Sequence, residues 1–208
     1  MPALKGSLSY ARLFVDGEPP EDFRERYMKA IRLRVMKPLV ADEDALERSG
    51  WCAVGDPFEL ELRYDNCFYN SFLNLGFRTD RWAIPGPLLK TRLREAEQAY
   101  LDKKGRERLS KRERAELKEL VARKLRKQFV PNMRMTDFSW SLEEGVVRFF
   151  SQSAKPALAM TDLFTKTFGL KLIPEAPYTL ASRLGLSKAE EKAWETLEET
   201  TFADARGA

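Results

Sequence analysis

The sequence predicts an α+β fold: antiparallel sheets with packed helices, interrupted by a basic helical hairpin. Three observations carry this. Two separated stretches, near residues 51–85 and 136–151, alternate apolar and polar residues at the period of a half-buried strand. Between them lie two segments with helical periodicity and helix-ending signals. And 43% of the 208 residues are apolar, enough for a real core and too many for a disordered chain.

The elements follow in order. The segment 5–15, closing on Asp16-Gly17, reads as a first strand. Pro19 and Pro20 precede a helix whose apolar face is Phe23, Tyr27, Ala30, Ile31 and Val35, and which Pro38 should end. From Trp51 to Pro85 the texture is that of an antiparallel meander: FELELRY (58–64) alternates, CFYNSFLNL follows, and GFRTDRWAIP returns after a turn at 74–76. Pro85-Gly86-Pro87 is a break.

The next helix carries Leu89, Leu93, Ala96 and Tyr100 on one face and ends at Gly105, a residue suited to a left-handed cap. Ser110 and Glu113 form a capping box ahead of a second helix with the stripe Leu117, Leu120, Val121, Leu125 and Phe129, which Pro131 terminates. After it, TDFSWSL and VVRFFS flank Glu144-Gly145 as a hairpin. A helix over 156–168 and a strand at LKLIP come next, then an acidic helix from Ser187 that frays past Phe202. This divides the chain into an α+β half (1–87), the basic hairpin (88–130), a second half that packs with the first (131–180) and an acidic C-terminal segment (181–208).

Composition narrows the chemistry. There is no histidine, which removes Ser–His–Asp, Cys–His and His-based zinc sites together. Cys52 and Cys67 could form one disulfide, but they fit better as two buried small hydrophobes in a reducing cytoplasm, and no CxxC is present. No run reaches the roughly 18 apolar residues of a membrane span, and no secretory signal is visible. Asp56, Asp65, Asp80, Asp137 and Asp162 are carboxylates a metal-dependent nuclease could use, but no pair has a recognised spacing, and Walker and Rossmann glycine patterns are missing. The expectation is a protein without enzymatic activity and without a cofactor.

The charge is segregated. Residues 103–128, KKGRERLSKRERAELKELVARKLRKQ, hold twelve Lys or Arg against four Glu in a chain of formal net charge +4. From Leu88 to Val130 fifteen basic residues face seven acidic ones, while the remainder is net acidic. Two ordinary effects account for part of this. Arg112 with Glu116 and Glu119 with Arg123 are i,i+4 pairs, and Arg123, Lys124, Arg126 and Lys127 suit the C-terminal end of a helix dipole. Lys103, Lys104, Arg106, Arg108 and Lys111 are left over, around a turn where the one nearby acid is Glu107. Their mutual repulsion disfavours the compact state unless a polyanion offsets it, and a phosphate backbone does so by releasing counterions rather than by reading bases.

These five are therefore the expected DNA contacts, with Arg112, Arg123, Lys124, Arg126, Lys127 and Arg134 in support. Zinc-finger, basic-zipper and helix-turn-helix signatures are all missing, so binding without sequence preference is expected. Phe68, Tyr69, Phe72, Phe77 and Trp82 would offer a stacking platform for single strands if several faced outward. The competing reading is an interaction module whose basic hairpin docks an acidic protein.

The succession of segments also resembles a known family. Residues 88–125, Pro131, the strand of Trp140, Gly145 and SQSAKPALAMTDLFTKTF (151–168) are similar, in order and separation, to the RdgC family of bacterial recombination-associated proteins. Leu117-Lys118-Glu119 matches its LKE segment and Ser153-Ala154-Lys155 the start of its next helix. SLSYARL (7–13) resembles its first strand, and SGWCAVG (49–55) its Gly-Trp segment. The likeness spans about residues 4 to 180. The chain is shorter than usual members, and neither MPALKG nor the acidic C-terminal segment matches them. The resemblance implies an α+β protein that forms a homodimeric ring around duplex DNA, sits in the cytoplasm on the nucleoid, and antagonises the RecA recombinase by occupying DNA.

Overall fold

Alternation of buried and exposed side chains along the strands fixes which face of the sheet holds the core. The computed structural model describes residues 9–197. Its elements are β1 (Ala11–Asp16), α1 (Phe23–Leu33), β2 (Glu47–Cys52), α2 (Tyr64–Cys67), β3 (Phe68–Tyr69), β4 (Phe72–Arg81), α3 (Gly86–Lys104), α4 (Lys111–Arg126), β5 (Asn132–Ser141), β6 (Val146–Phe149), α5 (Ala154–Phe168), β7 (Lys171–Pro174), α6 (Pro177–Arg183) and α7 (Lys188–Glu195). The fold is α+β. Its seven strands form one curled antiparallel sheet in the order β2-β4-β5-β6-β1-β7, with β3 pairing β4 off that path. The expected plurality of sheets is thus a single sheet shared by both halves of the chain. The first residues of the expected opening strand, and the tail beyond 197, lie outside the described residues.

Leu73, Leu75 and Phe77 of β4 stand opposite Trp140, Phe138 and Thr136 of β5, so one face of the sheet is dense with aromatic side chains. The helices α1 and α5 cover it with Tyr27, Met28 and Ile31 and with Met160, Phe164 and Phe168. Rings meet at oblique angles: Trp140 lies 5.2 Å from Phe164 and 5.6 Å from Tyr27, and Trp51 lies 5.3 Å from Phe138. The indole of fully buried Trp51 donates to Thr167 Oγ1 at 2.9 Å, which satisfies its one polar atom. Side chains of the opposite parity include Arg78, Asp80 and Asp137. They are buried on the other face beneath residues 55–58: Arg78 Nη1 donates to Pro57 O at 2.9 Å, and Gly55 N–H donates to Asp137 Oδ1 at 3.3 Å.

Three sequence expectations need correction. FELELRY is not a strand. It crosses residues 58–63 without regular structure, and Phe58 is exposed. Its backbone acceptors serve other groups instead of a ladder: Glu59 O accepts from Ala53 N–H and Leu62 O from the Arg32 guanidinium. The turn expected at 74–76 does not exist, because β4 runs straight through it. The reversal falls at Asn70, whose φ of 53° places it in the left-handed region that asparagine tolerates. Gly76 is instead a close-packing position, where a Cβ would stand 2.6 Å from Cys52 Sγ. Finally, α1 ends at Leu33, before Pro38, because the chain there joins the sheet edge: Trp51 N–H donates to Arg34 O and Met36 N–H to Trp51 O. Helix α6 had no counterpart in the sequence reading. Cys52 and Cys67 are both free and buried, and burial pushes each thiol up to about 12.

Candidate nucleic-acid interface

The hairpin of α3 and α4 leaves the sheet at the end of β4 and returns at the start of β5. None of the residues of α3 is buried, and its principal partner is α4, against which the half-buried Leu93, Ala96 and Tyr100 lie. At 19 residues α3 extends about 28 Å. Gly105 closes it with φ 59° and ψ 36°, and Arg106 N–H reaches back to Leu101 O at 3.2 Å.

Glu113 organises the tip. Its backbone N–H donates to Ser110 Oγ at 3.2 Å, and its carboxylate accepts from Ser110 N–H at 2.9 Å, which completes the capping box. The other carboxylate oxygen accepts from Tyr100 Oη at 3.1 Å and Arg106 Nη1 at 3.2 Å, so one side chain ties both helices and the turn together. These bonds, the one from the Ser110 backbone foremost, hold the Glu113 carboxyl below its ordinary value. Farther along, Arg114 Nε donates to Glu97 Oε1 at 2.7 Å across the helix pair.

The eleven expected DNA contacts fall into three groups. Lys103, Lys104, Arg108, Lys111 and Lys124 are exposed and meet no carboxylate among the described residues. Arg106 and Arg112 are exposed but spend their charge on Glu113 and Glu116. The third group belongs to the foot of the hairpin. Arg123 pairs with Asp44 and Lys127 with Asp42, each at 2.8 Å, so the loop before β2 clamps the end of α4.

Arg126 is the clear correction. It is 1% exposed, its Nη1 donates to Glu43 O at 2.8 Å, and its Nη2 stands 3.6 Å from Glu119, an ion pair too long for a hydrogen bond. It faces inward beside Val121 and Leu125 on the stripe that docks α4 and cannot meet a phosphate. Arg134 is exposed on β5, but at the foot of the hairpin, one helix length from the tip, and does not extend the tip patch.

Three cations of the hairpin escaped the sequence argument. Lys90, Arg94 and Lys118 are exposed and also meet no carboxylate among the described residues. Lys111 and Lys118 stand two helical turns apart, about 10 Å, and share with Arg114, Ala115 and Leu93 a shallow groove of about 420 Å³ between the helices. The i,i+7 spacing was the available signal.

The aromatic platform is not assembled: Phe68 and Phe77 are buried, Phe72 and Trp82 are half-buried, and Tyr69 alone of the five is exposed. The aspartates are scattered and engaged. Asp80 holds Arg78, Asp162 holds Lys166, Asp65 lies by Arg63, and Asp56 accepts from Phe58 N–H. Among the described residues no group of three or more His, Cys, Asp or Glu side chains is placed to hold a metal ion, and no helix is long and apolar enough to cross a membrane.

No family model matches the chain, and no curated protein matches it.

Proposed function

We propose that the chain binds DNA without sequence preference through the α3–α4 hairpin, as a binding protein rather than an enzyme. The observation that carries the reading is the tip of the hairpin. Lys103, Lys104, Arg108 and Lys111 crowd around the Gly105 turn, exposed, with no carboxylate within ion-pair distance among the described residues. The arginines beside them are neutralised, Arg106 by Glu113, Arg112 by Glu116 and Arg114 by Glu97. Leaving four cations together, on an arm that contributes little to the core, concentrates positive potential where a phosphate backbone can reach it. Lys118, Lys90 and Arg94 extend that potential toward the sheet.

The resemblance to the RdgC family supports the same reading and carries it further: a homodimer, a ring around duplex DNA, association with the nucleoid, and restriction of RecA access to DNA. These finer features are proposed on the resemblance alone.

Salt dependence is the test. If four tip cations contact duplex phosphates, log K falls against log salt with a slope of about −3.6, and affinity drops about 150-fold between 50 and 200 mM salt. Reversing Lys103, Lys104, Arg108 and Lys111 to Glu abolishes that slope and weakens unrelated duplexes alike. Binding that ignores salt, or a variant that changes sequence preference instead, overturns the proposal. Light scattering with and without duplex reports whether a dimer forms.

A further inference from the structure

At the foot of the hairpin, away from its tip, lies a cleft of about 780 Å³ bounded by the end of β4, residues 82–84, the start of β5 and the first turn of α5. Its size is that of a small-molecule site. Arg81, Arg134 and Lys155 line it against a single carboxylate, Glu47. One Glu47 oxygen is shared at long range between Lys155 Nζ at 3.5 Å and Arg81 Nε at 3.8 Å, and Arg134 meets no carboxylate among the described residues. Three cations against one carboxylate leave two positive charges unneutralised.

One further feature has the same sign. Helix α5 opens into the cleft with Ser153 at its N-cap, and the Ser153 hydroxyl makes no capping bond. The amides of Ala154 and Lys155, which have no partner inside the helix, keep the positive end of the dipole there, while Pro156 in the same turn has no N–H. The rest of the lining is mixed: polar Thr79, Asn132, Thr136 and Ser151, and apolar Ile84, Met135, Pro156 and Ala159 beside Trp82.

We propose that this cleft binds a small phosphate monoester carried on a flat, partly apolar body, of the size and kind of a nucleoside 5′-monophosphate. A monoester carries about −1.5 to −2 charges near neutral pH, which matches the two uncompensated cations; a carboxylate or a phosphodiester carries one. Arg134 and Lys155 hold the phosphate at the α5 N-terminus, and the apolar part of the wall takes the flat body. The site stands independently of DNA binding at the hairpin.

Thymidine 5′-monophosphate, thymidine and methyl phosphate, titrated separately by calorimetry into the intact protein, test it. The monophosphate should bind about tenfold or more tighter than either of the others, since each lacks one half of the recognised chemistry. Arg134→Glu with Lys155→Glu should remove that binding, both side chains being exposed and dispensable for folding. Lys103→Glu with Lys104→Glu should leave it within about twofold, because the tip is about 24 Å away along α4. Equal affinity for thymidine and its monophosphate overturns the proposal, as does unchanged binding in the charge-reversed cleft. Methyl phosphate binding as tightly as the nucleotide overturns the flat-bodied ligand.

Discussion

In the sheet body, Arg78 makes two bonds to Asp80, at 2.8 and 2.6 Å, with a third to Pro57 O; both side chains are almost wholly buried. At the hairpin tip, Lys103, Lys104, Arg108 and Lys111 are exposed and meet no carboxylate among the described residues. The two regions use the same kinds of charge under opposite physics. Removing Arg78 from water is tolerable because bidentate geometry and a backbone carbonyl occupy its donors, and the bonds it donates to Asp80 raise its pKa. The tip cations cost nothing in desolvation, give nothing to the core and repel one another. The Arg78–Asp80 pair holds the fold, and these four tip cations hold no part of it.

The largest test of this contrast is Asp80→Ala. It strands a buried guanidinium, for which a loss of about 3–5 kcal/mol is expected, whereas the fourfold charge reversal at the tip should leave the unfolding midpoint in urea nearly unchanged. Comparable losses from both would erase the distinction between the regions.

Two glycines sharpen it at the next scale. A Cβ on Gly50 would lie 2.5 Å from Met36 Cα and 2.7 Å from Met36 N, backbone atoms of the segment that joins the sheet edge. Gly50→Ala should therefore cost about 3 kcal/mol, by overpacking. Gly105 has φ +59° and open space around it, so Gly105→Ala should cost only the left-handed conformation, about 1 kcal/mol. Thermal unfolding of the two variants ranks them; a reversed order would mean that the hairpin, not the sheet edge, limits stability.

Arg126 shows why one part of the interface was legible in the sequence and another was not. The caps of the hairpin are local chemistry: Gly105, the Ser110–Glu113 box and the Pro85-Gly86-Pro87 break each specify geometry from neighbours a few residues away. The exposure of Lys103, Lys104, Arg108 and Lys111 follows from the same local argument, because a turn between two helices has little to bury it. Arg123, Arg126 and Lys127 are governed by Asp44, Glu43 and Asp42, about eighty residues earlier, and no periodicity in α4 announces that loop. FELELRY failed for a related reason. Alternation records which side chains could share a face, but whether a strand forms depends on a neighbour with free backbone groups, and here those groups serve Arg32 and Ala53. The fold class survived because it rests on many such segments at once. The cleft at the foot of α5 was invisible, since Glu47, Arg81, Arg134 and Lys155 come from four separate elements.

The placement of Arg126 yields a smaller prediction. Substituting a buried, imperfectly paired cation by an apolar side chain of similar length is commonly neutral or stabilising. Arg126→Met should therefore shift stability by no more than about 1 kcal/mol and leave DNA affinity and its salt slope as they were, although the residue sits in the most basic stretch of the chain. A DNA-binding loss equal to that of Arg108→Glu would mean that Arg126 turns outward when DNA is present.

The smallest effect concerns the carboxylate that the tip does spend on itself. Glu113 has a folded pKa below its ordinary value, because the ionised form accepts bonds from Ser110, Tyr100 and Arg106. Its contribution is therefore complete above the unfolded carboxylate pKa, about 4.3, and is lost as pH falls through the lowered folded value. Tyr100, whose own pKa is raised by the same bond, stays protonated throughout that range, so of this hydrogen-bonded pair Glu113 alone changes state. Glutamine keeps a capping side chain at this position without the charge. The melting temperature of the wild type should thus exceed that of Glu113→Gln at pH 7, and the gap should close as pH falls below about 4.3 and through the lowered folded value. A gap that persists in strong acid, or widens, would place the stabilisation in the shape of the side chain rather than in its charge, and would make the tip a region where charge of neither sign is used to hold structure.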